Sequence, residues 1–276
     1  MTIVMYIIMF IIGTIFGSFY NVVGYRIPKN ESIIYPKSHC PNCNHNLKWY
    51  ELIPIISYIM QKGKCKKCGK KISPFYLIFE LITGILFMTS YIIFGFKPYL
   101  IIALTFISML IIVTISDSLY MIIPDSVLLT FGLLLLIEIG IIYGPSKVLI
   151  SILNGSISFI FMYLLKKFGN FVFKRESMGD GDIKLLFITG MILTFPIAVL
   201  GIFVGSVIGL PISIILVKEN SGHIIPFGPF LAAGAILLLL TKVDINTIIN
   251  FYNYWYSKTI KSRFLKWICF FIIKNN

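Results

Sequence analysis

A chain of 276 residues that is 58% hydrophobic and only 13% charged, with mean hydropathy +0.91, has more apolar surface than a water-soluble fold of this length can hide. Its solvent is lipid. The net charge of +13 could suggest nucleic acid, but positive charge in a membrane chain marks cytosolic loops, and its distribution here follows that rule, so no nucleic-acid partner is expected.

Apolar runs long enough to cross about 30 Å of hydrocarbon are predicted at Ile3–Val23, Phe75–Phe96, Tyr99–Ile115, Ser126–Tyr143 and Val148–Phe168. The block Ile183–Val217 is too long for one helix and is predicted to hold two, broken near Pro196 or Gly201. A last run covers Phe227–Leu240. The expected fold class is an all-α polytopic membrane protein with about eight transmembrane helices. The first run lacks a basic n-region and an A-x-A-like cleavage site, so it reads as a retained helix and not a signal peptide.

Between the first two runs lies the one substantial polar segment, residues 26–74, with ten Lys/Arg against Glu31 and Glu51. Positive charge on that side places it in the cytosol and the N-terminus outside. Counting spans forward, Ser116–Ile123 and the basic stretch 166–182 return to the cytosolic face, while the turns at Lys97 and Gly144–Lys147 fall outside. The tail, 242–276, interleaves Tyr252, Trp255, Phe264 and Trp267 with Lys258, Lys261, Arg263 and Lys266, as an interfacial segment does. On an eight-span count it falls outside, against the charge rule.

Cys40-Pro-Asn-Cys43 and Cys65-Lys-Lys-Cys68 are two CxxC pairs with 21 residues between them. Each CxxC turn presents two sulfurs on one side, and a connecting loop can bring two such turns into a tetrahedral thiolate set for zinc. Disulfides are the alternative, which a reducing cytosol disfavours. Four thiolates leave no position open for water, so the metal is structural. His39 and His45 lie beside the ligands as outer neighbours or exposed residues. Cys269 stands apart in an apolar stretch and reads as inert.

Two carboxylate clusters sit at the expected cytosolic ends of helices. Asp117 follows the run Tyr99–Ile115, and Asp182 opens the run after Met178-Gly179-Asp180-Gly181. Gly179 and Gly181 permit a tight turn and close approach of another chain. Both acids are at one membrane face and can converge if their helices pack. Paired carboxylates whose mutual repulsion separates their pKa values are the machinery of aspartyl proteolysis: one activates water, the other protonates the leaving amine. Asp125, after Pro124, is positioned to cap the next helix. Asp180 reads as solvated. Glu80, inside the second run, is a functional or packing residue or the partner of a loop lysine. His223 reads as a polar residue in a cytosolic turn. Gly13-x-x-x-Gly17 and Gly201-x-x-x-Gly205-x-x-x-Gly209 read as small-residue helix contacts.

Six stretches carry a resemblance that spans about residues 13–240. Gly17-Ser18-Phe19-Tyr20-Asn21-Val22-Val23 with Arg26 and Pro28 is similar to GSFxNVVxxRxP. The two CxxC pairs follow, then Pro74-x-Tyr76 with Glu80, Asp117 with Pro124-Asp125, Gly179-Asp180-Gly181-Asp182-x-Lys184-Leu185, and Pro226-Phe227-Gly228-Pro229-Phe230. In this order they resemble the type IV prepilin peptidases, membrane aspartyl proteases of the GxGD type. Tyr20 stands where that family often has leucine. The resemblance implies catalytic Asp117 and Asp182, supported by Gly179, Gly181, Lys184 and Asp125. It implies removal of the basic leader of type IV prepilins or pseudopilins after a glycine, at the cytosolic face of the cytoplasmic membrane. Many members also N-methylate the new terminus with S-adenosylmethionine, and the cysteine segment favours that bifunctional branch. Asn21, Arg26 and Glu80 are the methyltransferase candidates, Glu80 first because a carboxylate can hold the incoming amine. The loop lysines are expected to meet anionic lipid headgroups.

The chain thus divides into residues 1–25, a first transmembrane helix; 26–74, the cytosolic zinc segment; 75–241, the transmembrane protease bundle; and 242–276, the interfacial tail. The competing expectation is a non-enzymatic, zinc-anchored membrane scaffold of a pilus or secretion machine. A carboxylate-based transporter is disfavoured, since the acids lie at one face and no charge pair lies at mid-depth.

Overall fold

Helices form where the apolar runs were expected. A computed structural model describes residues 2–219, 226–244, 246–247 and 249–250. The expectations for His223, for the aromatic and basic residues after position 250 and for Cys269 lie outside the described residues. The chain divides into two units, Met1–Leu240 and Thr241–Asn276, and everything below concerns the first. Its helices are α1 (Thr2–Arg26), α2 (Ile56–Met60), α3 (Pro74–Phe94), α4 (Tyr99–Tyr120), α5 (Asp125–Tyr143), α6 (Pro145–Phe173), α7 (Asp180–Leu193), α8 (Phe195–Glu219) and α9 (Gly228–Thr241). No strand is present among the described residues, only isolated bridges at His39–Asn46 and Lys64–Lys71.

The core is α4. Phe106, Ile107, Met109, Leu110, Val113 and Ile115 on it are fully buried, so its apolar residues face neighbours all round, as in a helix enclosed by others. Around it, α1 packs on α3 through small residues. A Cβ at Gly13 would fall 2.8 Å from Gly84 Cα and from Thr83 O, and one at Gly17 3.0 Å from Glu80 Cα. The helices therefore approach to backbone contact, as small-xxx-small faces allow. The second glycine series does the same for α8 against α9, where a Cβ at Gly205 would meet the Phe230 carbonyl. Tyr20, the departure from leucine, uses its hydroxyl: it donates to Ser108 Oγ on α4 at 2.6 Å, in a buried position.

Among the described residues six helices are long and apolar enough to cross a membrane: α1, α3, α4, α5, α6 and α8. The expected count of about eight is not confirmed by length alone, because α7 and α9 have 14 residues each. Such a helix rises about 21 Å, short of about 30 Å of hydrocarbon. The long apolar block breaks at Thr194, with φ 71°, just before the expected position at Pro196. The freed Phe195 amide is taken by Asn154 Oδ1 of α6 at 3.1 Å. A break at this depth persists only where neighbouring helices satisfy the freed backbone groups. Asn154→Ala is expected to lower stability by about 1–2 kcal/mol, measurable as a lower thermal midpoint of the purified chain; an unchanged midpoint would contradict this role.

Candidate active site

The site is assembled at one end of the bundle. Ring contact between Tyr25 and Tyr120, with centroids 5.8 Å apart, sets the C-terminal ends of α1 and α4 side by side. Lys166 Nζ of α6 binds Asp180 Oδ1 of α7 at 2.6 Å. Lys184 Nζ of α7 binds both oxygens of Asp125 of α5, at 2.7 and 2.8 Å. The two ion pairs tie the start of α5 and the later turns of α6 to the start of α7.

Asp117, in the last turn of α4, and Asp182, in the first turn of α7, both lie at this end, and both are buried, at 6% and 8% exposure. Ile123 lies between them: an added Cβ at Gly181, next to Asp182, would fall 2.8 Å from Ile123 Cβ, and one at Gly228, next to Asp117, 3.3 Å from Ile123 Cδ1. The Gly228 amide, at the start of α9, donates to Asp117 Oδ2 at 2.9 Å. The sequence placed the two acids at the same face; the structure also supplies a backbone donor for Asp117. Gly228 is legible in the sequence only as part of a motif, with no role of its own.

The glycines act differently from one another. A Cβ at Gly181 would fall 2.8 Å from Ile123 Cβ, so this position needs glycine for close approach to the α4–α5 connection. Gly179 has φ −69° and ψ 148°, extended backbone open to any residue, and the tight turn expected there is not needed. At Gly228 an added Cβ would sit 2.6 Å from Asp117 Oδ2 and 3.1 Å from its Cγ. Gly228→Ala is therefore expected to displace the Asp117 carboxylate and lower turnover about 10²-fold, with the fold retained. Turnover within a factor of two of the parent in a peptide-cleavage assay would contradict it.

Two flanking acids have partners the sequence did not give. Asp125 is the first residue of α5, where the helix dipole favours it, while the N-cap position itself falls to Pro124. Lys184, 59 positions along the chain, binds it. The carboxylate thus serves as an exposed tie between α5 and α7. Asp180 remains exposed, as expected, but is ion-paired with Lys166. A third acid, Glu138 of α5, was missed: its Oε1 accepts the Thr105 hydroxyl at 2.7 Å and its Oε2 is buried without a hydrogen-bond partner. It lies toward the other end of the helices, about 18 Å along α4 from Asp117 by helical rise. A lone carboxylate inside an apolar run was the available signal.

An apolar crevice lined by Leu185, Thr189, Gly201, Ile202, Leu231 and Ala235 lies among α7, α8 and α9. It begins one turn along α7 from Asp182 and carries no carboxylate.

The four cysteines meet. Their sulfurs lie within 4.8 Å of one another, with Cys40–Cys68 at 3.8 Å and Cys43–Cys65 at 3.9 Å. A tetrahedron with metal–sulfur bonds of about 2.3 Å has edges of about 3.8 Å, so the set fits a single metal ion. The Asn42 and Cys43 amides donate to Cys40 and hold its thiol down to about 7. The Cys68 and Lys67 amides lower Cys65 in the same way. Cys43 accepts the His45 amide, which lowers it, yet burial and the other three sulfurs push it up to about 11. The crowded set thus favours a cation that replaces its protons. His45 pairs with the buried Glu51 at 3.3 Å, and His39 is exposed beside the Lys37 carbonyl. Neither histidine belongs to the sulfur set.

The methyltransferase candidates Asn21, Arg26 and Glu80 line the seam of α1 and α3, all buried. Glu80 Oε2 accepts the Ile55 amide at 2.8 Å, so its partner is loop backbone and not a lysine. Arg26 donates to the Ser32 carbonyl at 3.0 Å. Asn21 Nδ2 donates to the Tyr76 carbonyl at 3.1 Å, while its Oδ1 is buried with no partner.

Residues 11–94 match the bacterial peptidase A24 N-terminal domain, and residues 104–214 match the type IV leader peptidase family. The chain is 37% identical over 248 residues to a prepilin leader peptidase/N-methyltransferase of Bacillus subtilis (strain 168), covering 89% of this chain and 96% of that protein. The chain belongs to the type IV leader peptidase family. Relatives of the same description are 34% identical in Myxococcus xanthus, over 74% of this chain and 62% of that protein, and 30% identical in Pseudomonas aeruginosa, over 87% and 92%. No solved structure matches. Membership in this family does not favour the non-enzymatic scaffold, and with the apolar helices it makes the chain a multi-pass membrane protein. The first matched region holds the cysteines and the α1–α3 seam, the second both aspartates.

Proposed function

We propose that the chain is a prepilin leader peptidase in which Asp117 and Asp182 together cleave the leader from type IV prepilins or pseudopilins. The observation that carries this is the pair of buried carboxylates at one end of the bundle, from helices 65 positions apart in sequence. Two like charges so placed do not both ionise freely, so one acid keeps a proton. The ionised partner takes a proton from water as it attacks the scissile carbonyl, and the protonated one delivers its proton to the leaving amine. The Gly228 amide fixes the Asp117 carboxylate, which orients it without neutralising it. Lys184 and Asp125 hold α5 and α7 in register around the two acids. The assay is cleavage of a prepilin by the purified full chain in lipid, with each aspartate changed in turn.

Charge on residues 26–74 supports a cytosolic location for this end of the bundle, with the N-terminus outside and the enzyme in the cytoplasmic membrane. In that arrangement α7 and α9 count with the six long helices toward about eight membrane-embedded helices, and the loop lysines face anionic headgroups. Zinc is the metal proposed for Cys40, Cys43, Cys65 and Cys68, with a structural role.

Methylation of the new N-terminus is the second activity proposed, on the strength of the relatives' names and the cysteine segment. S-adenosylmethionine would supply the methyl group. Asn21 Oδ1, a buried acceptor without a partner, is the group on the α1–α3 seam left for a ligand's donor, whereas Glu80 is already engaged by the Ile55 amide. Asn21→Leu is expected to lower methylation at least about tenfold while cleavage continues. Mass spectrometry of the mature pilin N-terminus measures both; full methylation in the variant would contradict the assignment.

A further inference from the structure

The cysteine segment reaches into the bundle's flank at one place. Pro54 O accepts the Ile56 amide at 2.6 Å, closing a three-residue turn around Ile55, which has φ 62° and ψ −54°. A β-branched residue rarely adopts this hand of γ-turn, and such strain persists where surrounding contacts hold it. Here the hold is the Ile55 amide bound to buried Glu80 Oε2 at 2.8 Å.

That bond also fixes depth. Glu80 is six residues into α3, whose 21 residues rise about 31 Å, close to the thickness of the hydrocarbon. Glu80 Cα therefore lies about 9 Å inside the end of α3, and Ile55, bound to a side chain that leans toward that end, about 4–9 Å inside it. Gly17, whose added Cβ would fall 3.0 Å from Glu80 Cα, is nine residues back from the end of α1, about 14 Å inside it. With α1 and α3 spanning the bilayer, this level falls within the hydrocarbon. The residues around the turn are apolar and uncovered: Leu52 is 42% exposed, Ile56 54%, Ile59 63% and Met60 75%. On the neighbouring turn Trp49–Glu51, Trp49 is 77% exposed. Exposed Lys48 precedes the stretch, and exposed Lys62, Lys64 and Lys66 follow it.

We propose that Leu52–Met60 is a re-entrant membrane insert, with its apolar side chains among the lipid acyl chains of the leaflet at the cysteine-bearing end. On α3, the helix whose Glu80 holds the segment, Tyr76, Ile78 and Ile82 are also exposed. The flanking lysines then stand at headgroup level and Trp49 at the interface, the usual order of anchors. Glu80 acts as the latch that fixes the insert's depth, and so ties the metal-binding segment to the membrane and to α3. The proposal rests on the reading of α1 and α3 as membrane-spanning and is independent of the protease chemistry.

The test uses the full chain in vesicles, with its three tryptophans (Trp49, Trp255 and Trp267) changed to Phe and one probe introduced as Ile59→Trp. Ile56→Trp serves as a second probe in a separate variant, and retained bound metal checks folding. Phospholipids brominated in the acyl chain are expected to reduce probe emission about twofold or more. Adding Met60→Asp beside the probe is expected to abolish most of that quenching, because a carboxylate resists transfer into hydrocarbon. Quenching by aqueous acrylamide without quenching by brominated lipid would place the segment in water and overturn the proposal. Protection from both quenchers would mean that protein covers it, and overturns the proposal equally. Neither reading involves prepilin cleavage, so failure here leaves the dyad standing, and failure of the dyad leaves the insert standing.

Discussion

Asp117→Asn and Asp182→Asn are each expected to reduce leader cleavage by about 10³-fold or more. A positioned acid or base contributes about 10²–10⁴-fold, and in a shared-proton pair each aspartate's state depends on the other, so neither half works alone. The substitutions are nearly isosteric. Asn at 117 still accepts the Gly228 amide, so that backbone donor remains satisfied. Loss of activity with an unchanged thermal midpoint is the expected result, read by cleavage of a full-length prepilin. By contrast, Asp125→Ala removes an exposed ion pair to Lys184 and leaves both carboxylates in place. Its effect on cleavage is expected to stay within about tenfold, since exposed pairs contribute only about 0–1 kcal/mol.

Cys40→Ser is expected to have the largest effect on structure. Residues 26–73 bury little of their own: Cys40, Glu51, Gly63 and Cys65 are the buried positions between Ile27 and Ser73. A segment of that kind cannot offset its chain entropy by apolar burial. Metal binding at four thiolates supplies apparent free energies of about 10–16 kcal/mol in small zinc-binding peptides, more than any other interaction in this segment. Substituting one ligand, or removing the metal with a chelator, is expected to bring bound zinc from one per chain to none. Protease sensitivity of the segment should rise at least about tenfold as the fold becomes metal-dependent. Full metal content in the Ser variant would contradict the four-sulfur site.

How much of this was legible in the sequence depended on how local the signal was. The CxxC turns carry their own geometry, and four sulfurs that match a tetrahedral edge follow from spacing alone. Apolar runs gave the helices because hydrocarbon demands continuous burial of backbone polar groups. That Asp117 and Asp182 share one face followed from charge and span parity; their convergence was conditional on packing, which neither signal carries. What stayed hidden were contacts between distant segments. The length of α7 is set at Thr194 by Asn154, 41 positions away from Phe195, and no hydropathy window sees that. The Asp125 cap was a sound local reading, but the N-cap position falls to Pro124 and the carboxylate binds Lys184 of another helix. Gly228 reads as motif glycine until α9 is set against α4. The strained turn at Ile55 is invisible in Leu52-Ile-Pro-Ile-Ile, because a β-branched residue gives no hint of positive φ.

The account turns on two carboxylates acting as one unit. The most direct measurement is the single-turnover cleavage rate of one prepilin by four full-length chains in the same lipid: the parent, Asp117→Asn, Asp182→Asn and the double variant. A single shared site predicts that the double variant is no slower than either single variant, because the first substitution already removes the pair's function. Losses that multiply, or a single variant that still cleaves at the parent's rate, would contradict it.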